Sequence, residues 1–225
     1  MSTPPAAPAR RGIAQWAGLG GVLYVLLFIG GSVLAFGGTP GSDDAPAKII
    51  AYYKDSGHRH KIGAGWALVV LGVFFLVWFL SALRQYLRTI DGDGFLTGLA
   101  TLGGTIYASL TLVGISLNSA IKTMSDDTFH HQVYPPLIHA ADDAGWVIHS
   151  SGGVGSGALI IAATLAVGRA GLIPGWAKWV GVVFGIFALL SIFGLTQLAI
   201  AIWLIVAGVL LFRAAPPVAA RPAGV

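Results

Sequence analysis

The sequence contains no cysteine and no glutamate, and it has few charged residues of any kind. The absence of cysteine excludes disulfides, zinc–thiolate sites, iron–sulfur clusters and a cysteine nucleophile. The absence of glutamate removes the bidentate ligand that closes an EF-hand loop, so the turn Asp91–Gly94 is interpreted as a turn with a helix cap. Charged residues make up 10% of the 225-residue chain, against about 25% in an average soluble domain.

What the chain has instead is apolar sequence. Hydrophobic residues make up 56% of it and the mean hydropathy is +0.80. The apolar residues form blocks of about 20, which is the length that a helix needs to cross a hydrocarbon layer of ~30 Å. The net charge is +4, but the basic residues are divided into small groups between these blocks. The composition therefore indicates an integral membrane protein and excludes a nucleic-acid partner.

The apolar blocks predict an all-α fold, a polytopic bundle of six transmembrane helices. The last apolar run, Trp179–Phe212, has 34 residues and would be about 51 Å long as one helix. We therefore divide it at the polar break Gly194–Gln197, and five spans are the alternative if that break is not used. The predicted spans lie near 13–36, 62–83, 96–118, 145–168, 178–193 and 196–212.

The two ends of the chain are expected to be disordered, because residues 1–12 and 214–225 are small and proline-rich. The first span is interpreted as an uncleaved helix, although a secretory signal cleaved after Val33–Ala35 is an alternative.

The basic residues next to the spans indicate the orientation. With the N-terminus inside, eight Lys and Arg residues lie in the cytoplasm and five lie outside. The positive-inside rule then places both termini in the cytoplasm and the protein in the cell (inner) membrane.

Two long polar segments lie outside in this orientation, residues 37–61 and 119–144. In the first, Asp43 and Asp44 precede Pro46, which predicts a capped short helix on the membrane surface.

All six histidines fall on this outer side. After Pro136, His139, Asp142 or Asp143, Trp146 and His149 recur at spacings of three and four and would share one helix face. Imidazole and carboxylate groups are ligands for zinc, copper or nickel. The candidate ligands of such a divalent metal are His130, His131, His139, Asp142, Asp143 and His149.

The alternative is that these residues populate solvated loops and a helix start, with the Asp pair near the positive end of the helix dipole. No HExxH signature is present, and no catalytic or cofactor-binding residue is assigned. His149 lies inside the fourth span, where an ionisable side chain marks a pathway, cofactor or partner. A haem held by two histidines would need a second deep histidine, which is absent.

Small residues mark two of the spans. The run Ser150–Gly157 lacks the lysine of a phosphate loop and lies within the fourth span. The pairs Gly153 with Gly157, and Gly181 with Gly185, predict instead that helices approach one another closely.

The segments Ile50–Tyr53 and Ile173–Trp179, within the six-span layout, resemble those of a family of small six-helix bacterial membrane proteins of unknown function. The resemblance covers residues 13–213, and it implies no catalysed reaction.

The leading functional hypothesis is a non-enzymatic membrane protein whose outer loops bind a partner or a divalent metal. Besides the lipid bilayer, its expected partners are another membrane protein or a second copy, docked through small-residue helix faces. One alternative is a membrane-embedded, metal-dependent hydrolase that uses the outer His/Asp cluster. The other is a small transporter or permease subunit, although the centre of every predicted span lacks Asp, Lys and Arg.

Overall fold

A computed structural model describes residues 12–123, 130, 132–194 and 197–214. The described residues form helices joined by short connections, with no strand among them, so the all-α prediction is confirmed for this part of the chain. The helices are α1 (Ile13–Gly18), α2 (Gly20–Phe36), α3 (Pro46–Lys54), α4 (Ser56–Asp91), α5 (Phe95–Thr123), α6 (Pro135–Ser151), α7 (Gly153–Arg169), α8 (Gly175–Leu189) and α9 (Gln197–Arg213). The predicted disordered tails fall outside the described residues, apart from Gly12 and Ala214.

Four stretches of helix are long and apolar enough to cross a membrane. They are Gln15–Phe36, Ser56–Asp91, Phe95–Thr123 and Pro135–Arg169. Two of these stretches contain a joint between helices, at Leu19 and at Gly152. The shorter helices α8 and α9 have 15 and 17 residues and are also strongly apolar. The chain is therefore a helical membrane protein.

Several helices continue well past the apolar blocks that predict them. Helix α4 runs from Ser56 to Asp91 around the predicted 62–83, and α6 begins at Pro135 where the fourth span was expected near 145. Asp55 caps α4 by accepting a hydrogen bond from the His58 backbone N–H at 2.9 Å. A polar segment with such a cap stays helical beyond the apolar segment that faces lipid. A hydropathy profile does not detect this extension.

The short helix of the first polar segment is α3, which begins at Pro46. Its Ile49 and Tyr53 are buried against the bundle, each only 1% exposed. The expected aspartate cap is wrong: no side chain caps α3. Asp44 instead accepts from the Gly41 backbone N–H at 2.9 Å and pairs with Lys48 at 2.8 Å.

The bundle is held by pairwise helix packing. Helix α2 packs along α4, α5 packs against α4, α6 and α7, and α7 packs against α8, while α9 lies against α1, α2 and α8. The centre of the main core is apolar, with Leu76, Phe79, Leu159, Ile160 and Leu204 each at most 1% exposed.

Glycines set the distance between α7 and α8. A Cβ added at Gly157 would lie 2.9 Å from the Gly185 carbonyl oxygen, and one added at Gly185 would lie 3.1 Å from that of Gly157. The close approach expected from these small residues is confirmed. The glycine-bearing faces of α7 and α8 pack against each other within one chain.

The apolar run after Trp179 is divided into two helices. Helix α8 ends at Leu189, a 3-10 turn spans Ser191–Phe193, and Gly194 has a positive φ of 65°. Helix α9 then starts at Gln197 and packs back on α8. A single continuous helix through this region is therefore excluded.

Candidate functional site

The metal-site candidates on α6 point in different directions. Asp143 is exposed and His139 is half-buried, whereas His149 is buried inside the bundle. Asp142 faces α5 and is engaged there by two side chains. The shared helix face predicted from their spacing is thus divided between solvent and the helix interface.

The other two candidates precede α6. His130 is exposed and has a positive φ of 48°, and His131 lies outside the described residues. Within the ranges that the structure describes, no group of three or more His, Cys, Asp or Glu side chains is arranged to hold a metal ion.

The structure joins Asp142 to α5 instead. Its Oδ1 accepts a hydrogen bond from Lys122 Nζ at 2.5 Å and another from Asn118 Nδ2 at 2.8 Å. The Lys122 side chain is only 2% exposed, whereas that of Asp142 is 41% exposed. The ammonium group is therefore the desolvated member of the pair, and Asp142 is its ionic partner.

Two aromatic rings complete the surroundings of Lys122. Its Nζ lies 4.9 Å from the centroid of Phe36, at the end of α2, and 5.9 Å from that of Tyr53 on α3. Cation–π attraction of this kind adds to the ion pair. Burial, and next the Asp142 carboxylate, raise the pKa of Tyr53 well above its ordinary value. Lys122 thus lies where α2, α3, α5 and α6 meet.

Close backbone contact between α5 and α6 makes this pair possible. A Cβ at Gly114 would lie 2.7 Å from the Gly145 carbonyl oxygen, and a Cβ at Gly145 would lie 2.8 Å from the Asn118 Cβ. Both positions therefore require glycine. The resulting approach brings Asn118 and Lys122 within reach of the Asp142 carboxylate.

Sequence reasoning missed Lys122 because it ended the third span at Asn118 and counted Lys122 among the outer loop charges. A usable signal was present. Gly114, Asn118 and Lys122 recur at intervals of four residues, which places them on one face of a continued helix.

His149 lies deeper, among aromatic rings. Its ring stacks on Phe28 with centroids 5.4 Å apart, and it is 6.4 Å from each of Tyr107 and Trp146. The hydroxyl groups of Tyr107 and Tyr24 are hydrogen-bonded at 2.8 Å. The contacts of His149 are thus with rings rather than with carboxylates.

A large cavity lies at the opposite end of the bundle. It has a volume of about 470 Å³ and lies between α7, α8, α9 and the last turns of α4. Its walls are almost wholly apolar and include Tyr86, Trp176, Val180, Phe184 and Trp203. The indole N–H of Trp203 is already bonded to the Thr164 hydroxyl at 3.3 Å, so the interior offers hydrocarbon contact.

The cavity is open to the surface of the bundle. Its wall residues Val180, Val206 and Leu210 are 44%, 51% and 53% exposed on the outer surface of the bundle. In a membrane this surface faces lipid. We refer to the space as the α7–α9 cleft.

No protein-family model, curated protein sequence or solved structure matches this chain. Its function is therefore inferred from its own geometry.

Proposed function

We propose that this chain is a non-enzymatic membrane protein that binds the hydrocarbon chain of a lipid in the α7–α9 cleft. The observation that carries the proposal is the apolar volume of about 470 Å³, which is within the 300–1,000 Å³ typical of pockets for small ligands. A cleft that faces the bilayer and is lined by aromatic and branched side chains fits an acyl chain, and the described part of it offers no charged group to a polar substrate.

The proposal includes six membrane crossings, with both termini in the cytoplasm of a bacterial cell and the protein in its inner membrane. The hairpin of α8 and α9 supplies the last two crossings. At 1.5 Å per residue these helices are about 22 and 26 Å long, and a bilayer accommodates such short spans by local thinning. The basic residues at the predicted inner connections, and the resemblance to small six-helix bacterial membrane proteins, support the same layout.

The sequence also left open a metal-dependent hydrolase and a transporter. A metal-dependent hydrolase gains no support from the described residues, because Asp142 is bonded to Lys122 and His149 is packed among rings. A transporter gains none either, since the walls of the α7–α9 cleft are almost wholly apolar. Binding of a partner at the outer loops stays a prediction.

A matched pair of valines on α8 tests lipid binding. Val180 lines the cleft, whereas Val183 does not, and the two are 44% and 47% exposed. The wild type, purified in mild detergent and analysed by native mass spectrometry, is expected to retain one lipid per chain. Val180→Trp is expected to reduce the retained lipid at least fivefold by filling the cleft. Val183→Trp should leave it unchanged.

A wild-type protein that retains no lipid would overturn the proposal, as would equal losses in the two valine variants. Ala207→Trp fills the same cleft from α9. It should lower the retained lipid as well, which would show that the effect of Val180→Trp is not due to a local distortion of α8. Thermal unfolding of every variant separates loss of lipid from loss of fold.

A further inference from the structure

Three basic residues adjoin, in sequence, the wall residues at one end of the α7–α9 cleft. Arg169 ends α7 and Arg213 ends α9, and Lys178 lies in the first turns of α8. Each of them is close in sequence to a wall of the cleft, which includes Leu172, Ala177 and Leu211. Three helices therefore bring positive charge to the same rim.

Direct contact places Lys178 beside the end of α7. A Cβ added at Gly168 would lie 2.7 Å from the Lys178 Cδ, so the lysine stem lies against the last turn of α7. Its Nζ is 5.3 Å from the centroid of the Trp179 ring. The stem packs on protein while the ammonium stays beside an indole, an arrangement typical of the headgroup level of a membrane.

The rim charges are not neutralised within the described part of the chain. Arg169 and Arg213 are exposed and form no ion pair with a described residue. The acidic residues of the neighbouring α4–α5 turn are engaged elsewhere: Asp93 pairs with Arg88 at 2.8 Å, and Asp91 accepts hydrogen bonds from Thr97. The rim therefore presents uncompensated positive charge beside an apolar cleft.

We infer that the lipid in the cleft is an anionic phospholipid, with an acyl chain between α7, α8 and α9 and its phosphate bound by Arg169, Lys178 and Arg213. This inference rests on the proposed function and specifies its ligand. Guanidinium groups bind phosphate oxygens in a bidentate manner, and the ammonium adds a third cation. Basic residues next to an apolar cleft fit a ligand that has both a negative headgroup and an apolar tail.

A competition between two lipids tests the inference. The protein is reconstituted in nanodiscs with equal amounts of phosphatidylglycerol and phosphatidylcholine carrying identical acyl chains. It is then extracted in mild detergent, and the retained lipids are quantified by mass spectrometry. The wild type is expected to retain phosphatidylglycerol at least fivefold over phosphatidylcholine, since each surface cation favours an anionic lipid by roughly that factor. The double variant Arg169→Gln, Arg213→Gln leaves Lys178 as the remaining rim cation and should lower this ratio at least fivefold.

The control removes the same amount of charge from the other end of the bundle. Lys54 ends α3 and Lys61 lies in the first turns of α4, at the end of α4 opposite to the cleft, and both are exposed. Lys54→Gln with Lys61→Gln should keep the wild-type ratio. A wild-type ratio near one overturns the anionic-lipid inference while leaving lipid binding intact. A ratio that falls equally in both double variants also overturns it. No retained lipid of either kind means that the proposed function itself has failed.

Discussion

The Lys122 side chain is almost completely removed from water. Such a group is stable in the ionised form only while a counter-ion is fixed beside it. The structure provides Asp142 at 2.5 Å and two aromatic rings, Phe36 and Tyr53. Since the carboxylate reaches water and the ammonium does not, loss of the carboxylate leaves the more costly partner buried alone.

We therefore predict that Asp142→Ala lowers the free energy of unfolding by about 2 kcal/mol. This is less than the 3–5 kcal/mol typical of a fully buried pair, because water screens the exposed side of Asp142. Asp143→Ala is the matched control: the residue is exposed, and its replacement should change the free energy by less than about 0.5 kcal/mol. Unfolding by sodium dodecyl sulfate in mixed micelles measures both.

The same pair predicts a rescue. Lys122→Met, made in the Asp142→Ala background, removes the unpaired ammonium and keeps an unbranched apolar chain, so it should restore at least half of the lost free energy of unfolding. An equal loss in Asp142→Ala and Asp143→Ala, or no rescue by the second substitution, would show that the ion pair does not stabilise the bundle.

The sequence predicted that these polar residues lie on one helix. It did not predict which of them contact α5. Spacing placed His139, Asp142, Asp143 and His149 on one helix. It carried no information on which of them α5 would cover. That depends on the contact of Gly114 with Gly145, which turns Asp142 and His149 inward and leaves Asp143 in water.

At the scale of the helices, the contact of α5 with α6 depends on the absence of a side chain at Gly114. A Cβ at Gly114 would lie 2.7 Å from the Gly145 carbonyl oxygen and 2.9 Å from the His149 backbone nitrogen. Backbone atoms of a packed helix cannot move aside as a flexible side chain can. Gly114→Ala is therefore expected to lower the free energy of unfolding by about 1–3 kcal/mol.

Gly98 on the same helix provides the control, because a Cβ there would have no heavy atom within 4 Å. Gly98→Ala should raise the free energy of unfolding by about 0.5–1 kcal/mol, since alanine is the better helix former. The two alanine variants should thus shift the unfolding midpoint in opposite directions. A shift of the same sign in both would contradict close α5–α6 packing.

Apolar blocks predicted the middle of each long helix, but they did not predict the ends. Hydropathy reports the part of a helix that contacts lipid, whereas a helix continues as long as its backbone hydrogen bonds are made. Helix α5 continues to Thr123, past the predicted end at residue 118, and α6 starts at Pro135. Lys122 and Asp142 lie on these extensions and form their ion pair there. The ion pair could therefore not be predicted from hydropathy.

On the scale of the whole molecule, the polar and apolar features occupy opposite ends. The histidines and most carboxylates lie on the side that the sequence predicts to be outer. The α7–α9 cleft lies at the other end and is formed by side chains from four helices. No single segment carries a signature for such a space, because apolar residues that line a cleft have the same composition as those that face lipid. The cleft could be found only from the tertiary arrangement.

The number of crossings gives the last prediction, and the absence of cysteine makes it straightforward to test, since each introduced cysteine is the only one in the chain. Gly41, Asp93, Ala170 and Arg213 are all exposed. With six crossings, a membrane-impermeant maleimide added to intact spheroplasts should label Gly41→Cys alone, and the other three variants should react only after permeabilisation. Labelling of Arg213→Cys in intact spheroplasts would place the C-terminus outside and reduce the crossings to five. Labelling of Ala170→Cys would move the basic rim of the cleft away from the cytoplasmic leaflet.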